Sequence, residues 1–253
     1  MVNPSLNKVY WTKSGDGDAA VREASLTGLV ASDLVPGASA GTISTDSISY
    51  NPVNNDVFWG GWRRLRSVES DGSNVTLLDP FLSGYATSAA VDATNGLLYW
   101  RDNSNIRTID LTGGNNTVVL NVGSGLQSVV LDVAGGKMYY ANSTTDTISR
   151  ANLDGSSTET LITFAGTDNP KDIALDLDNN KMYYLLDGPD SIGSANLDGS
   201  SSALIAGLTN LDNPQALALG PIPEPSTYAL ILGGAALAVS AIIRRRRLAQ
   251  ASE

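Results

Sequence analysis

Apolar residues along positions 1–220 fall in short alternating runs broken by Gly, Asn, Asp and Ser, a pattern of strands and tight turns rather than helices. Adjacent aromatic pairs punctuate these runs at Tyr10-Trp11, Phe58-Trp59, Tyr99-Trp100, Tyr139-Tyr140 and Tyr183-Tyr184. Their second members stand 48, 41, 40 and 44 residues apart. Eight residues before each second aromatic is a short amide or carboxylate: Asn3, Asn51, Asp92, Asp132 or Asp176. A glycine turn follows each pair, as Leu26-Thr27-Gly28, Ser70-Asp71-Gly72, Leu111-Thr112-Gly113, Leu153-Asp154-Gly155 and Leu197-Asp198-Gly199. Asp-Gly between apolar runs predicts type I′ hairpin turns, which need positive φ at both central residues.

Each repeat therefore predicts a strand ending at the Asn or Asp, a strand carrying the aromatic pair, a third strand such as Thr147–Asn152, the glycine turn, and a fourth such as 159–164. Four antiparallel strands per repeat make a propeller blade, so residues 1–220 are read as an all-β propeller of about five four-stranded blades. A sixth copy begins at Asn213-Pro214-Gln215-Ala216-Leu217-Ala218-Leu219 and stops at Gly220, supplying one strand. That strand can complete the first blade and hide two sheet edges. An incomplete six-bladed ring is the alternative.

The aromatic pairs, the Leu-Asp-Gly-Ser turns at 153–156 and 197–200, and Asn169-Pro170-Lys171-Asp172-Ile173-Ala174-Leu175-Asp176 resemble the YWTD, or LDL-receptor class B, repeat. The signature is diverged, reading Tyr-Trp-Thr-Lys at 10–13, Phe-Trp-Gly-Gly at 58–61, Tyr-Trp-Arg-Asp at 99–102, Tyr-Tyr-Ala-Asn at 139–142 and Tyr-Tyr-Leu-Leu at 183–186. Only Asp102 keeps the final Asp, for which the resemblance implies a structural hydrogen bond between neighbouring strands.

The last thirty residues change character. A Pro-rich linker at 221–227 contains Pro223, Glu224 and Pro225; an uncharged stretch follows to Ile243, then Arg244, Arg245, Arg246 and Arg247 in a basic tail at 244–253. Ser226 to Ile243 would form a helix of about 27 Å at ~1.5 Å per residue, enough to cross a thin bilayer, and 228–243 is read as a transmembrane helix. The arginines act as the membrane stop and stay cytoplasmic, which places the propeller on the extracytoplasmic side. The order Pro-Glu-Pro, short span, arginine cluster resembles the bacterial PEP-CTERM sorting signal. That resemblance implies an exosortase as processing partner, acting near Pro223-Glu224-Pro225, and a mature form at the cell surface or in the extracellular matrix. An exported protein is expected to begin with a secretory signal. Met1-Val2-Asn3-Pro4 shows neither basic start nor apolar run, so this reading expects residues upstream of Met1, the alternative being a degenerate fragment without function.

Composition narrows the chemistry. The 253 residues contain no Cys and no His, which excludes disulfides, thiolate nucleophiles, the commonest general base and the usual zinc ligands. The formal charge is −10 overall and −12 over residues 1–222, so nucleic acid is not an expected partner.

Candidate sites are few. Aromatics repeating in every blade meet the demand of packing between blades and are expected in the core rather than as sugar platforms. Asp92, Asp132 and Asp176 are expected to cap turns rather than hold calcium, and no metal or cofactor is expected. The Asn-X-Ser/Thr triplets at Asn74, Asn115 and Asn142 are read as accidental. One segment breaks the repeat: Trp59, Trp62, Arg63, Arg64 and Arg66 gather cations and indoles in an acidic chain, a pattern that can grip anionic glycans or a carboxylate-bearing partner. The alternative is a solvated hairpin whose arginines pair with Glu69 and Asp71. The function expected is a non-catalytic surface module that binds protein or polysaccharide. The competing class is a metal-dependent propeller enzyme of lactonase or lyase type.

Overall fold

A computed structural model describes residues 2–3, 5–13, 20–27, 30–36, 47–61, 64–79, 86–208, 211, 215–217 and 219. Compact units span Met1–Leu219 and Gly220–Glu253. The linker with Pro223, Glu224 and Pro225, the helix expected over 228–243 and Arg244–Arg247 lie outside the described residues, as do Trp62 and Arg63. Among the described residues no helix is long and apolar enough to cross a membrane.

The first unit is all-β, with five four-stranded sheets taken in sequence order. The first holds β1 (Val2–Asn3), β2 (Lys8–Lys13), β3 (Ala20–Ser25) and β4 (Ala31–Val35); the second holds β5 (Ser47–Tyr50), β6 (Val57–Gly61), β7 (Arg64–Val68) and β8 (Thr76–Asp79). The third holds β9 (Ala86–Asp92), β10 (Leu97–Asp102), β11 (Asn105–Asp110) and β12 (Thr117–Asn121). The fourth holds β13 (Leu126–Asp132), β14 (Lys137–Asn142), β15 (Thr147–Asn152) and β16 (Glu159–Thr163), and the fifth β17 (Pro170–Asp176), β18 (Lys181–Leu186), β19 (Ser191–Asn196) and β20 (Ala203–Leu204). Every sheet is an antiparallel meander, consistent with propeller blades.

The aromatic pairs sit on the second strands and explain why the sheets stack. Adjacent strand residues point to opposite faces, so one aromatic of each pair faces the next sheet and the other faces the preceding one. The four core clusters follow that rule. Tyr10 shares a cluster with Trp59, Phe58 with Trp100, Tyr99 with Tyr140, and Tyr139 with Tyr184. All eight are buried, at 7% exposure or less. Burial is worth about 1.5–3 kcal/mol for a Phe-sized side chain, so these interfaces carry much of the stability. The phenols reach across too: Tyr99 Oη donates to the carbonyl of Leu153 in the next sheet at 3.1 Å. Burial, reinforced by the charge of Glu23, pushes the Tyr10 hydroxyl up to about 12.

The turns fix the geometry between strands. Asn3, Asn51, Asp92, Asp132 and Asp176 each accept from backbone N–H groups in the turn that follows, at Leu6, Val53, Thr94 and Asn95, Gly135, and Asn179. The glycine turns differ from the type I′ expectation. In the fourth sheet the Gly155 N–H closes a turn on the Asn152 carbonyl, Asn152 N–H bonds back to Ser156, and positive φ falls on Gly155 and Ser157 rather than Asp154. Asp154 instead accepts from Ser156 N at 2.9 Å and its hydroxyl at 2.6 Å. The Asp side chain thus buttresses the loop, and the left-handed positions fall on Gly155 and Ser157 rather than on the Asp.

Candidate functional site

The structure places Trp59 on β6 and Arg64 and Arg66 on β7. Trp59, 3% exposed, belongs to the core cluster it forms with Tyr10. Arg66 lies directly across the hairpin from it. The same register recurs in the first and third sheets, where Arg22 faces Trp11 and Arg107 faces Trp100. There the guanidinium carbons lie 5.5 and 5.9 Å from the indole centroids. In the fourth sheet Arg150 stands directly across from Tyr139, the first aromatic of its pair rather than the second, and lies 5.8 Å from its ring. Arginine over an aromatic is therefore a repeated building element, and Arg66 occupies one of its places. In the sequence Arg22, Arg66, Arg107 and Arg150 stand 44, 41 and 43 residues apart, against 48, 41 and 40 for the aromatic pairs of the same sheets. The fifth sheet replaces this arginine with Gly193, where the Tyr184 ring takes the space of a β-carbon.

Each stacked arginine of the first, third and fourth sheets has an acid: Arg22 with Asp33 at 2.9 Å, Arg107 with Asp102 at 2.8 Å, Arg150 with Glu159 at 2.5 Å. Asp102 is the carboxylate at the signature's last position. It ties β10 to β11 through Arg107, whose guanidinium continues to Asn116 and from there to Asp79 of the preceding sheet.

Arg64, at the start of β7, is exposed. The acids that flank it in sequence are committed elsewhere. Glu69 accepts from Ser73 Oγ at 3.2 Å and Asn74 Nδ2 at 2.6 Å, and Asp71 accepts from the Ser73 N–H at 2.8 Å. Asp71 is held below the usual carboxylate range, first by the Ser73 hydroxyl. Burial lowers the Arg66 guanidinium, and the nearby charge of Arg64 lowers it further. Two cations are thus held as electrostatic neighbours on β7 of an acidic chain. Gly60, where the repeat signature departs from Thr, has a local cause: a β-carbon there would collide with the Ala86 carbonyl of the third sheet.

A second polar group lies where the inner strands begin. Arg101 donates to Thr87 Oγ1 at 2.5 Å and to the Gln127 carbonyl at 3.1 Å, Gln127 donates to Ser143, and Lys171 pairs with Asp187 at 2.7 Å. These bonds join neighbouring strands and sheets. Asp172, on β17, is half-buried, and desolvation pushes its carboxyl up against the lowering effect of N–H groups from Leu217 and Ile173 and of the Ser128 hydroxyl. Among the described residues no group of three or more carboxylates could hold a metal ion. Of the three Asn-X-Ser/Thr triplets, Asn142 is buried and caps its hairpin, while Asn74 and Asn115 are exposed.

Comparison with known proteins adds two families. Residues 136–177 match the low-density lipoprotein receptor repeat class B, and residues 221–247 match the PEP-CTERM protein-sorting motif. The motif implies processing by an exosortase and a secreted, membrane-anchored precursor, and suggests an exported surface protein. Among solved structures, one in a nidogen/laminin complex is similar over 82% of this chain and 80% of its own, with TM-score 0.69 and 15% identity. An auxiliary nutrient binding protein from Bacteroides ovatus ATCC 8483 is similar over 86% of this chain, with TM-score 0.65 and 14% identity. An oligogalacturonate lyase in complex with manganese is similar over 80%, with TM-score 0.57 and 14% identity. The chain spans 63% and 62% of the length of the last two. These likenesses establish a propeller-like fold.

Proposed function

We propose that this chain is an exported surface protein whose sheets form a non-catalytic binding module, with the β7 arginine strip gripping a carboxylate-bearing polysaccharide. The observation that carries the reading is the exposed Arg64 at the start of β7, with Arg66 as its electrostatic neighbour, while Glu69 and Asp71 are engaged in the turn that follows and the chain as a whole is acidic. A guanidinium pairs with a carboxylate through two parallel hydrogen bonds, and an exposed one is free to do so with a ligand. The sorting motif supports delivery to a place where such polysaccharides occur. Catalysis is no part of the proposal, since the chain has no His and no Cys to serve as base or nucleophile.

The test is a screen of the full chain in detergent against acidic and neutral polysaccharides at two salt concentrations. The proposal expects binding to the acidic set that weakens with salt, and no change in polymer length after long incubation. Depolymerisation would favour the lyase class instead, and equal binding to neutral polymers would remove the role of charge.

A further inference from the structure

The turns that join the first two strands of each sheet share one plan, and the third sheet departs from it. Four residues beyond the capping Asn or Asp, at Asn7, Asn55, Gly96, Gly136 and Asn180, the backbone takes a positive φ of 53, 65, 70, 66 and 53°. Three of these residues have their N–H held: Asn55 donates to the Asn51 carbonyl at 2.8 Å, Gly136 to that of Val133 at 3.2 Å and Asn180 to that of Leu177 at 3.3 Å. Among the described residues no group accepts from the Gly96 N–H. The space around Gly96 is open as well, with nothing within 4 Å of where a β-carbon would stand. The residue before it is Asn95, and Asn95-Gly96 is the one Asn-Gly pair in the chain.

We propose that Asn95-Gly96 is a self-modification site, at which the folded chain converts Asn95 to aspartate and isoaspartate. Asn95 is exposed to the water that the reaction needs. The Gly96 nitrogen loses its proton to water and bonds to Asn95 Cγ; the Cγ–Nδ2 bond breaks, and Nδ2 takes a proton from water and leaves as ammonia. Glycine permits this close approach, because no side chain stands on the attacking residue. Water then opens the five-membered imide. Opening at Cγ leaves an aspartate at position 95, and opening at the backbone carbonyl leaves isoaspartate, in which the chain runs through the former side chain and is one carbon longer. No oxidant or reductant takes part. The Asp-Gly pairs of the glycine turns are locked against the same ring closure: the N–H groups of Gly72, Gly155 and Gly199 donate to the carbonyls of Glu69, Asn152 and Asn196, each at 2.9 Å. Their carboxylates are held in turn by Ser73, Ser156 and Ser200.

The product acts on the sheet that carries it. Asn95 Nδ2 donates to Asp92 Oδ2 at 2.7 Å, so the reaction replaces a donor with a second carboxylate beside the one that caps the turn between β9 and β10. The isoaspartyl form also shifts Gly96, whose carbonyl accepts the Leu111 N–H at 2.9 Å just beyond the end of β11. Three strands of the third sheet are tied at this one turn, and the modification loosens all three.

The test holds the full chain in detergent at mildly alkaline pH, folded and in parallel in concentrated urea, with samples digested over time. Mass spectrometry reads the amide-to-acid exchange in each Asn peptide, and enzymatic methylation of isoaspartate reads the isomer. In the folded chain conversion at Asn95 is expected to run at least about tenfold faster than at Asn54 and Asn179, which occupy the same place in their turns and precede Asn55 and Asn180. Conversion of Asn95 in urea alone, or at the pace of Asn54 and Asn179 in the folded chain, overturns the proposal. Gly96→Ala meets no neighbour and is expected to slow the folded reaction by about tenfold; an unchanged rate overturns the part given to Gly96. Asn95→Asp carries one product from the start and is expected to unfold at lower urea than the parent chain, whereas an equal midpoint overturns the effect drawn for the third sheet.

Discussion

A β-carbon on Gly199 would stand 2.5 Å from the carbonyl oxygen of Leu161, in the outer strand of the preceding sheet. The contact recurs: Gly72 meets the carbonyl of Leu34 at 2.7 Å, Gly113 that of Leu78 at 3.1 Å, and Gly155 that of Val119. Glycine is required twice over, for its positive φ and for the approach of a neighbouring backbone. Gly199→Ala is expected to cost about 2–4 kcal/mol, combining left-handed strain with a clash against backbone that cannot rotate away. Gly136→Ala, at φ +66 with nothing within 4 Å, should show the strain alone, about 1–2 kcal/mol. Urea denaturation of both variants measures the difference; equal losses would mean that the turn does not press on the next sheet.

The arginine stacks predict unequal worth for their acids. Asp102 is 7% exposed at its side chain and Glu159 49%. Removing a partner inside the protein strands a charge, while an exposed pair is screened by water. Asp102→Ala is therefore expected to cost about 2–4 kcal/mol and Glu159→Ala less than about 1 kcal/mol, read by thermal or chemical denaturation. A larger loss for Glu159 would contradict the network drawn from Asp102 through Arg107 and Asn116 to Asp79.

Much of this was legible in the chain because the repeat carries its own reasons. The aromatic pair predicts two faces of one strand, and the Asn or Asp eight residues earlier predicts a capped turn; each follows from strand geometry and local hydrogen bonding alone. The turn type was misread because Asp-Gly favours type I′ only when both residues take positive φ, and here Asp154 is engaged by Ser156 in another loop. The role of Arg66 was hidden for a different reason. A cation in a basic cluster looks like a surface site until register sets it across from Trp59, and register depends on the pairing of strands. Asp172 carried no local signal at all, because its partner Leu217 lies 45 residues away.

The strand-end carboxylates cap their own turns. Asp92 takes two backbone N–H groups and the Asn95 amide, and Asp176 takes the N–H and amide of Asn179. Chelation with excess EDTA is expected to leave the melting temperature unchanged to within about 1 °C, where a site bound at a hundred times its Kd would supply about 2.7 kcal/mol. Asp92→Ala should instead cost about 1 kcal/mol with or without calcium, as a lost turn cap.

The pH dependence follows from Asp172. Burial raises its carboxyl above the ordinary Asp value near ~4, so between that value and the raised one the folded chain holds a proton that the unfolded chain has released. Its contribution to stability is then full below the ordinary value and is lost as pH rises through the folded one. Asp172→Asn cannot titrate, and the stability difference between wild type and variant should move against the wild type as pH increases across that window, then level off. Denaturation curves from pH 4 to 8 would show it. A difference that stays constant with pH would mean that the carboxylate is not held at a cost.

The most direct measurement is the dissociation constant of the full chain for an acidic polysaccharide, compared with Arg64→Glu at low salt. Arg64 is exposed, so the variant keeps the fold while reversing the charge beside Arg66. The account predicts affinity weaker by about tenfold or more, with a shallower salt dependence. Equal affinities and salt slopes for the two proteins would contradict it.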